Sequence, residues 1–341
     1  MELPAQNPSQ SAQVAPPPVD PRLQPTPDYG SLGPGSDLSP KKLSHSAGAL
    51  RTVAAMTAGI LCAVPFLVSG NVHAAWEQLE AYLNLHGKPE PASPAILSQH
   101  EIEKLDHQPA QMQAELLLER SINHYDGAND EIAARVDKWR LHHLKRNAHL
   151  NSLLTAAFNS NDLRVRAAAV EIELASLNVA KVPGNIEVFE KQAELNDQSA
   201  RDWGLWTLGL LGNRGIEQHR ISEILMRHLT DSDPDARHWA VEGLALVGSD
   251  EAISPLLKTF HDDASPMVRE RAACSLAQSG MFTEAQRRST IPTLFDFAED
   301  ASLDEQTHTW VYQALRDITA QNLPNDPAAW RNWYSNTGAG N

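Results

Sequence analysis

Fourteen histidines among 341 residues make metal binding the first chemistry to consider, because the neutral imidazole is the commonest protein ligand for transition metals. The densest groups are His142-His143, His124 with Asp126, and His261-Asp262-Asp263. None has the spacing of two near ligands and a distant third that a zinc or iron site uses, so no metal and no cofactor are expected. No stretch reads as an activated nucleophile, a Gly-rich phosphate loop or a pair of catalytic carboxylates, and no catalytic residue is assigned. Of the two cysteines, Cys62 lies in an apolar run and Cys274 in a predicted buried helix, where a thiol acts as a small hydrophobe. No disulfide framework follows, and cysteine usage neither supports nor excludes export.

What recurs is arginine and tryptophan. Arg166, Arg201, Arg237 and Arg269 each stand four residues after Asp162, Asp197, Asp233 and Ser265. A charge repeated at a buried seam needs a partner, so these arginines are expected to form a ladder between neighbouring units, with Asp162, Asp197 and Asp233 as available acids. Trp203 and Trp239 fall six residues after their aspartates, and Arg271 takes the same place in the next unit. Trp310 joins the series only if the last unit is shifted by two residues. Together with His238, these side chains form a candidate partner-binding wall. Packing between units is the competing explanation for the tryptophans, and both stay open here.

The elements that place these residues begin with helix starts. Asp233-Pro234 and Ser265-Pro266 put a capping side chain before a proline at the first helical position. The cap accepts a hydrogen bond from an orphan N–H, and proline lacks the N–H that would go unused there. Ala240 and Ala272 leave room on the buried face, with Leu244 and Leu276 one turn further on. Caps at 162, 197, 233, 265 and 302 are separated by 35, 36, 32 and 37 residues. Helical units repeating at that period are the signature of an α-solenoid.

At this point the sequence resembles the HEAT-repeat family, in particular the HEAT-like repeats of bacterial scaffold proteins and phycobilin lyases. The resemblance spans about half of the chain, from Ala148 to Leu323. It implies an all-α right-handed superhelix of five to six helical pairs, with arginines pairing to acids of adjacent repeats and equivalent positions of the second helices on the concave wall. It says little about chemistry, because function sits on the surface of the repeats. Iron-binding hydroxylases of this architecture carry several His-Glu pairs, whereas this chain has one, His100-Glu101, outside the repeats. No residue here carries over bilin-lyase chemistry.

Net charge is −15, and the four acids and four bases of residues 1–51 cancel, so the excess lies in the folded part. Such a body repels phosphate backbones, and no nucleic-acid partner is expected. Lys138, Arg140, Lys145 and Arg146 are a fragment of a basic stripe, read as a favourable interaction with a helix C-terminus.

Residues 1–47, rich in Pro, Ser, Gln and Gly, cannot bury enough surface to order and read as a disordered tail. Residues 48–74 contain the uncharged run Thr52–Val68, flanked by Lys41, Lys42 and Arg51. Val72-His73-Ala74 before Ala75 fits a signal-peptidase site, while an uncleaved single-pass anchor through residues 52–68 is the alternative. Either places the repeats outside the cytoplasm, anchored or exported to a periplasm. Residues 75–147 read as helices, with Trp76, Leu79, Tyr82 and Leu83 in the first and a degenerate capping repeat near Asn129 or Asp130. Repeats fill 148–323, and 324–341 hold a capping helix, with Trp330, Trp333 and Tyr334 on one stripe, and a frayed tail. The function expected is a non-catalytic scaffold that binds a protein partner on its concave face. The alternative is an accessory enzyme of bilin-lyase-like or metal-dependent type using the same groove.

Overall fold

The starts of the central helices are set by side chains that satisfy otherwise orphaned N–H groups. In the computed structural model, which describes residues 95–337, the α5 helix (Leu163–Ser176) begins where Asp162 accepts from the Arg164 N–H at 2.8 Å. Helix α7 (Gln198–Asn213) begins where Asp197 accepts from Ala200 at 2.8 Å. Helix α9 (Pro234–Val247) starts with Asp233 accepting from Asp235 at 3.0 Å and proline in its first turn. Helix α11 (Pro266–Cys274) follows Ser265, whose side chain makes no capping bond.

Two starts differ from the sequence expectation. Helix α14 (Glu305–Thr319) is capped by Asp304, which accepts from Thr307 at 2.8 Å, rather than by Ser302. Ser302 instead donates its N–H to Asp300. Helix α3 (Ala128–Leu141) is preceded by Gly127 in the left-handed region, φ 87°, rather than by Asn129 or Asp130. Asn129 accepts instead from the Ser121 hydroxyl of helix α2 (Ala110–Ile122) at 2.5 Å.

The other helices are α1 (Gln99–Asp106), α4 (Ala148–Phe158), α6 (Gly184–Ala193), α8 (Gln218–His228), α10 (Asp250–Asp262), α12 (Glu284–Ser289), α13 (Ile291–Glu299) and α15 (Pro327–Asn336). Among the described residues there is no strand, only an isolated bridge between Ile96 and Asp126. Helices pack in pairs, α2 with α3, α4 with α5, α6 with α7, α8 with α9, α10 with α11 and α13 with α14. The second helices also stack in chain order, α3, α5, α7, α9, α11, α14. This all-helical stacking is that of an α-solenoid.

Among the described residues the helices enclose two apolar cores. One runs from Leu97 to Ala175, the other from Val170 to Trp330, and α5 contributes to both. That double duty explains why α5 is buried around its whole circumference rather than along one stripe. Helices α7 and α9 pack backbone on backbone, a Cβ on Gly209 falling 2.7 Å from the Gly243 Cα, so only glycine fits. Helix α11 ends in a π turn, Ser275–Ser279. At the C-terminus, Trp330 is fully buried and donates its indole N–H to Pro324 at 2.9 Å, while Tyr334 meets Phe295 edge-on at 5.4 Å.

No helix among the described residues is long and apolar enough to cross a membrane. The tail 1–47, the apolar run 52–68 and the helix predicted around Trp76 lie outside the described residues.

Candidate functional site

Three of the four arginines at equal offsets, Arg201, Arg237 and Arg269, reach forward along the array. Arg201 pairs with Asp233 of the next repeat. Arg237 grips both carboxylate oxygens of Asp263, at 2.7 and 2.9 Å. Arg269 holds Asp304 at 2.6 Å and the Thr307 hydroxyl at 3.1 Å. A planar guanidinium suits such two-point contacts. Arg237 and Arg269 also donate to the carbonyl six residues back, Asp231 at 2.8 Å and Asp263 at 2.7 Å, which ties each rung to its own turn. The acids Asp263 and Asp304 escaped the sequence reading because they stand two residues to either side of the supposed caps Ser265 and Ser302.

Arg166 is placed differently. It donates to the carbonyls of Gln278, Ser279 and Gly280 at 3.0, 2.8 and 3.1 Å, where the π turn leaves them outside the helical ladder. Asp162 pairs with Arg164 and His124, and Asp197 caps its own helix. Arg287 takes further carbonyls of the same turn, Leu276 at 3.2 Å, Gln278 at 2.9 Å and Gly280 at 2.6 Å. Burial and the neighbouring Arg166 pull its guanidinium down to about 10. The π turn is thus clamped by two cations, neither of which the repeat pattern identifies as its partner.

The wall residues are divided by depth. Trp203, Trp239 and Trp310 are half-buried and pack on the second core. Trp310 stands six residues after Asp304, the offset that Trp203 and Trp239 have from their own caps. Arg271, in the same series, is buried at 7% exposure, with Glu242 at 2.6 Å and the Ser279 hydroxyl at 2.8 Å. It therefore belongs to the frame rather than to an exposed surface. His238 lies between Trp239, ring centres 5.7 Å apart, and Glu242 at 3.8 Å. Burial lowers its pKa.

Trp206, which the sequence reading passed over, joins the row from below. Its ring meets Trp239 at 6.0 Å and Phe158 at 5.9 Å, both edge-on. Its enclosed indole N–H has no acceptor among the described residues, a polar group left unsatisfied within the aromatic row. One turn earlier in α7, burial pushes the Asp202 carboxyl up to about 6, with Arg201 opposing the rise and Asp235, Asp233 and Asp197 adding to it. Cys274 is partly exposed, its sulfur 3.6 Å from the Ser279 hydroxyl. Among the described residues, no group of three or more His, Cys, Asp or Glu is placed to hold a metal.

Residues 186–277 match the family model of HEAT repeats. A solved structure described as that of an engineered protein is 19% identical, covering 64% of this chain and 97% of its own, with a TM-score of 0.30. So loose a superposition carries no argument. No curated protein matches the chain. With the rungs Arg201–Asp233 and Arg237–Asp263 inside the matched stretch, residues 186–277, from α6 to the π turn after α11, are HEAT repeats.

Proposed function

We propose that the protein is a non-catalytic scaffold whose repeats form a right-handed solenoid of five to six pairs, presenting Trp203, His238, Trp239 and Trp310 to a protein partner on its concave wall. The observation that supports this most is that three tryptophans, at one offset in separate repeats, stay partly exposed. Aromatic side chains combine large contact area with few torsions to immobilise, which makes them strong anchors in interfaces. HEAT repeats commonly serve protein–protein contacts, in keeping with this reading. The proposal extends to location: the run 52–68 anchors the chain, or cleavage before Ala75 releases it, with the repeats outside the cytoplasm in either case.

A photo-crosslinking residue introduced at 203, 239 or 310 of the full chain in its native cells is expected to capture one and the same protein. The same residue at Val188 or Lys258, both exposed on first helices of their pairs, is expected to capture none of it. Equal capture from both sets, or capture from 188 and 258 alone, overturns the proposal. Trp203→Ala with Trp239→Ala should abolish capture while helical content persists. Loss of folding together with capture would make the pair core residues.

A further inference from the structure

The basic fragment around Lys138 and Lys145 takes no part in the aromatic row, and the structure gives it a cavity. Between the end of α1, the start of α2 and the end of α3 lies a hollow of about 610 Å³, well inside the range of small-molecule sites. Lys138 lines it from α3, His142 from the C-cap of that helix, and His143 and Lys145 from the loop that follows. A favourable interaction with the C-terminus of α3 covers the first two of these. His143 and Lys145 lie past the helix end and face the start of α2. That start is itself electropositive: Pro109 precedes it, no side chain caps it, and its first turn carries no acid.

The two lysines are paired with no acid of the lining. The one acid in the lining, Asp106, is bound to Arg135 at 2.7 Å. Among the described residues, none of the side chains of Lys138, His142, His143 and Lys145 is hydrogen-bonded or ion-paired. The walls, by contrast, are fixed. Gln113, 8% exposed, accepts from the Trp139 indole at 2.9 Å and donates to the Gln108 carbonyl at 2.8 Å. Gln111 staples the loop to α2 by accepting from the Lys145 N–H at 2.8 Å and donating to its carbonyl at 3.1 Å. His143 is held at φ 52° in the left-handed region, a conformation that persists for such a residue only when its surroundings enforce it.

We infer that this hollow is a binding site for a small multivalent anion, a phosphorylated or polycarboxylate compound, seated between Lys138, His142, His143 and Lys145 and the start of α2. Lys138 of α3, Lys145 of the loop and the open N–H groups at the start of α2 converge on it, so one charge on the ligand would leave part of this field unanswered. The net charge of −15 on the chain repels a nucleic-acid backbone, while a compact anion enters the local field of the hollow. The inference stands independently of the aromatic wall.

Isothermal titration of the full chain with pyrophosphate and with citrate tests it, with chloride at equal ionic strength as reference. Saturable one-to-one binding that chloride does not reproduce is expected. Tighter pyrophosphate binding assigns the phosphoryl class, and tighter citrate binding the carboxylate class. Lys138→Glu with Lys145→Glu should weaken binding by at least about tenfold. Lys258→Glu, the same kind of charge change on a distant exposed helix, should leave it unchanged. If charge reversal disturbs the helical spectrum, Lys138→Gln with Lys145→Gln makes the same comparison. Absence of saturable binding, equal weakening by Lys258→Glu, or full binding in the folded double variants overturns the assignment.

Discussion

Two seams join equivalent helices in this molecule by different means. Where α7 meets α9, glycine lies on glycine, Gly209 against Gly243, and Arg201 crosses to Asp233. At the offset of Gly209 from its cap, α5 carries Leu174, which is buried at 1% exposure. At the α5–α7 seam the core divides into two, and Glu171 gathers Lys181 at 2.9 Å and Arg214 at 3.3 Å. The lesson is that one offset in each repeat decides how closely two helix backbones pack. A residue without a Cβ lets them touch, whereas a branched side chain fills the crossing and leaves charged groups to complete the joint.

Transferring the α5 residue into α7 should break the close seam outright. Gly209→Leu has no space for its first carbon, and a loss of about 3 kcal/mol or more, with a broadened thermal transition, is expected by calorimetry. A smaller effect belongs to the rung. Arg237→Ala strands Asp263, whose side chain is 6% exposed, and urea unfolding should show a loss of about 2–3 kcal/mol.

The smallest effect, opposite in sign, belongs to Asp202. Its folded-state pKa of about 6 lies above the ordinary aspartate value, so the folded chain binds the proton more tightly than the unfolded one. Stability from this group is therefore fullest below about pH 4 and declines as pH rises through about 6. Asp202→Asn should remove that decline and stabilise the protein at pH 7 by on the order of 1 kcal/mol, discounted for partial exposure. Unfolding measured at pH 4.5 and 7 checks it, and an unchanged pH slope in the variant counts against the burial argument.

Much of this architecture is written in short-range chemistry. Asp162, Asp197 and Asp233 each cap the helix that follows them, because capping depends on residues within one turn. The start at Asp304 was less legible, since Ser302 and Asp304 offer competing caps and the preceding repeat decides between them through Arg269. The long-range partner of Arg166, over a hundred positions away, leaves no local signal. Trp206 was missed because its offset in the helix differs from that of Trp203 and Trp239, although its ring lies against the latter. The hollow beside α2 was visible in sequence only as a basic fragment, because the helix start facing it comes from residues some thirty positions earlier.

The account rests on Arg201, Arg237 and Arg269 binding forward, each to an acid of the following repeat. A double-mutant cycle on Arg237 and Asp263, run beside one on Arg237 and Asp233, tests this most directly. Coupling on the order of 1–2 kcal/mol is predicted for the first pair and a much smaller value for the second. Equal couplings, or a larger one to Asp233 in the same repeat, would contradict the forward ladder.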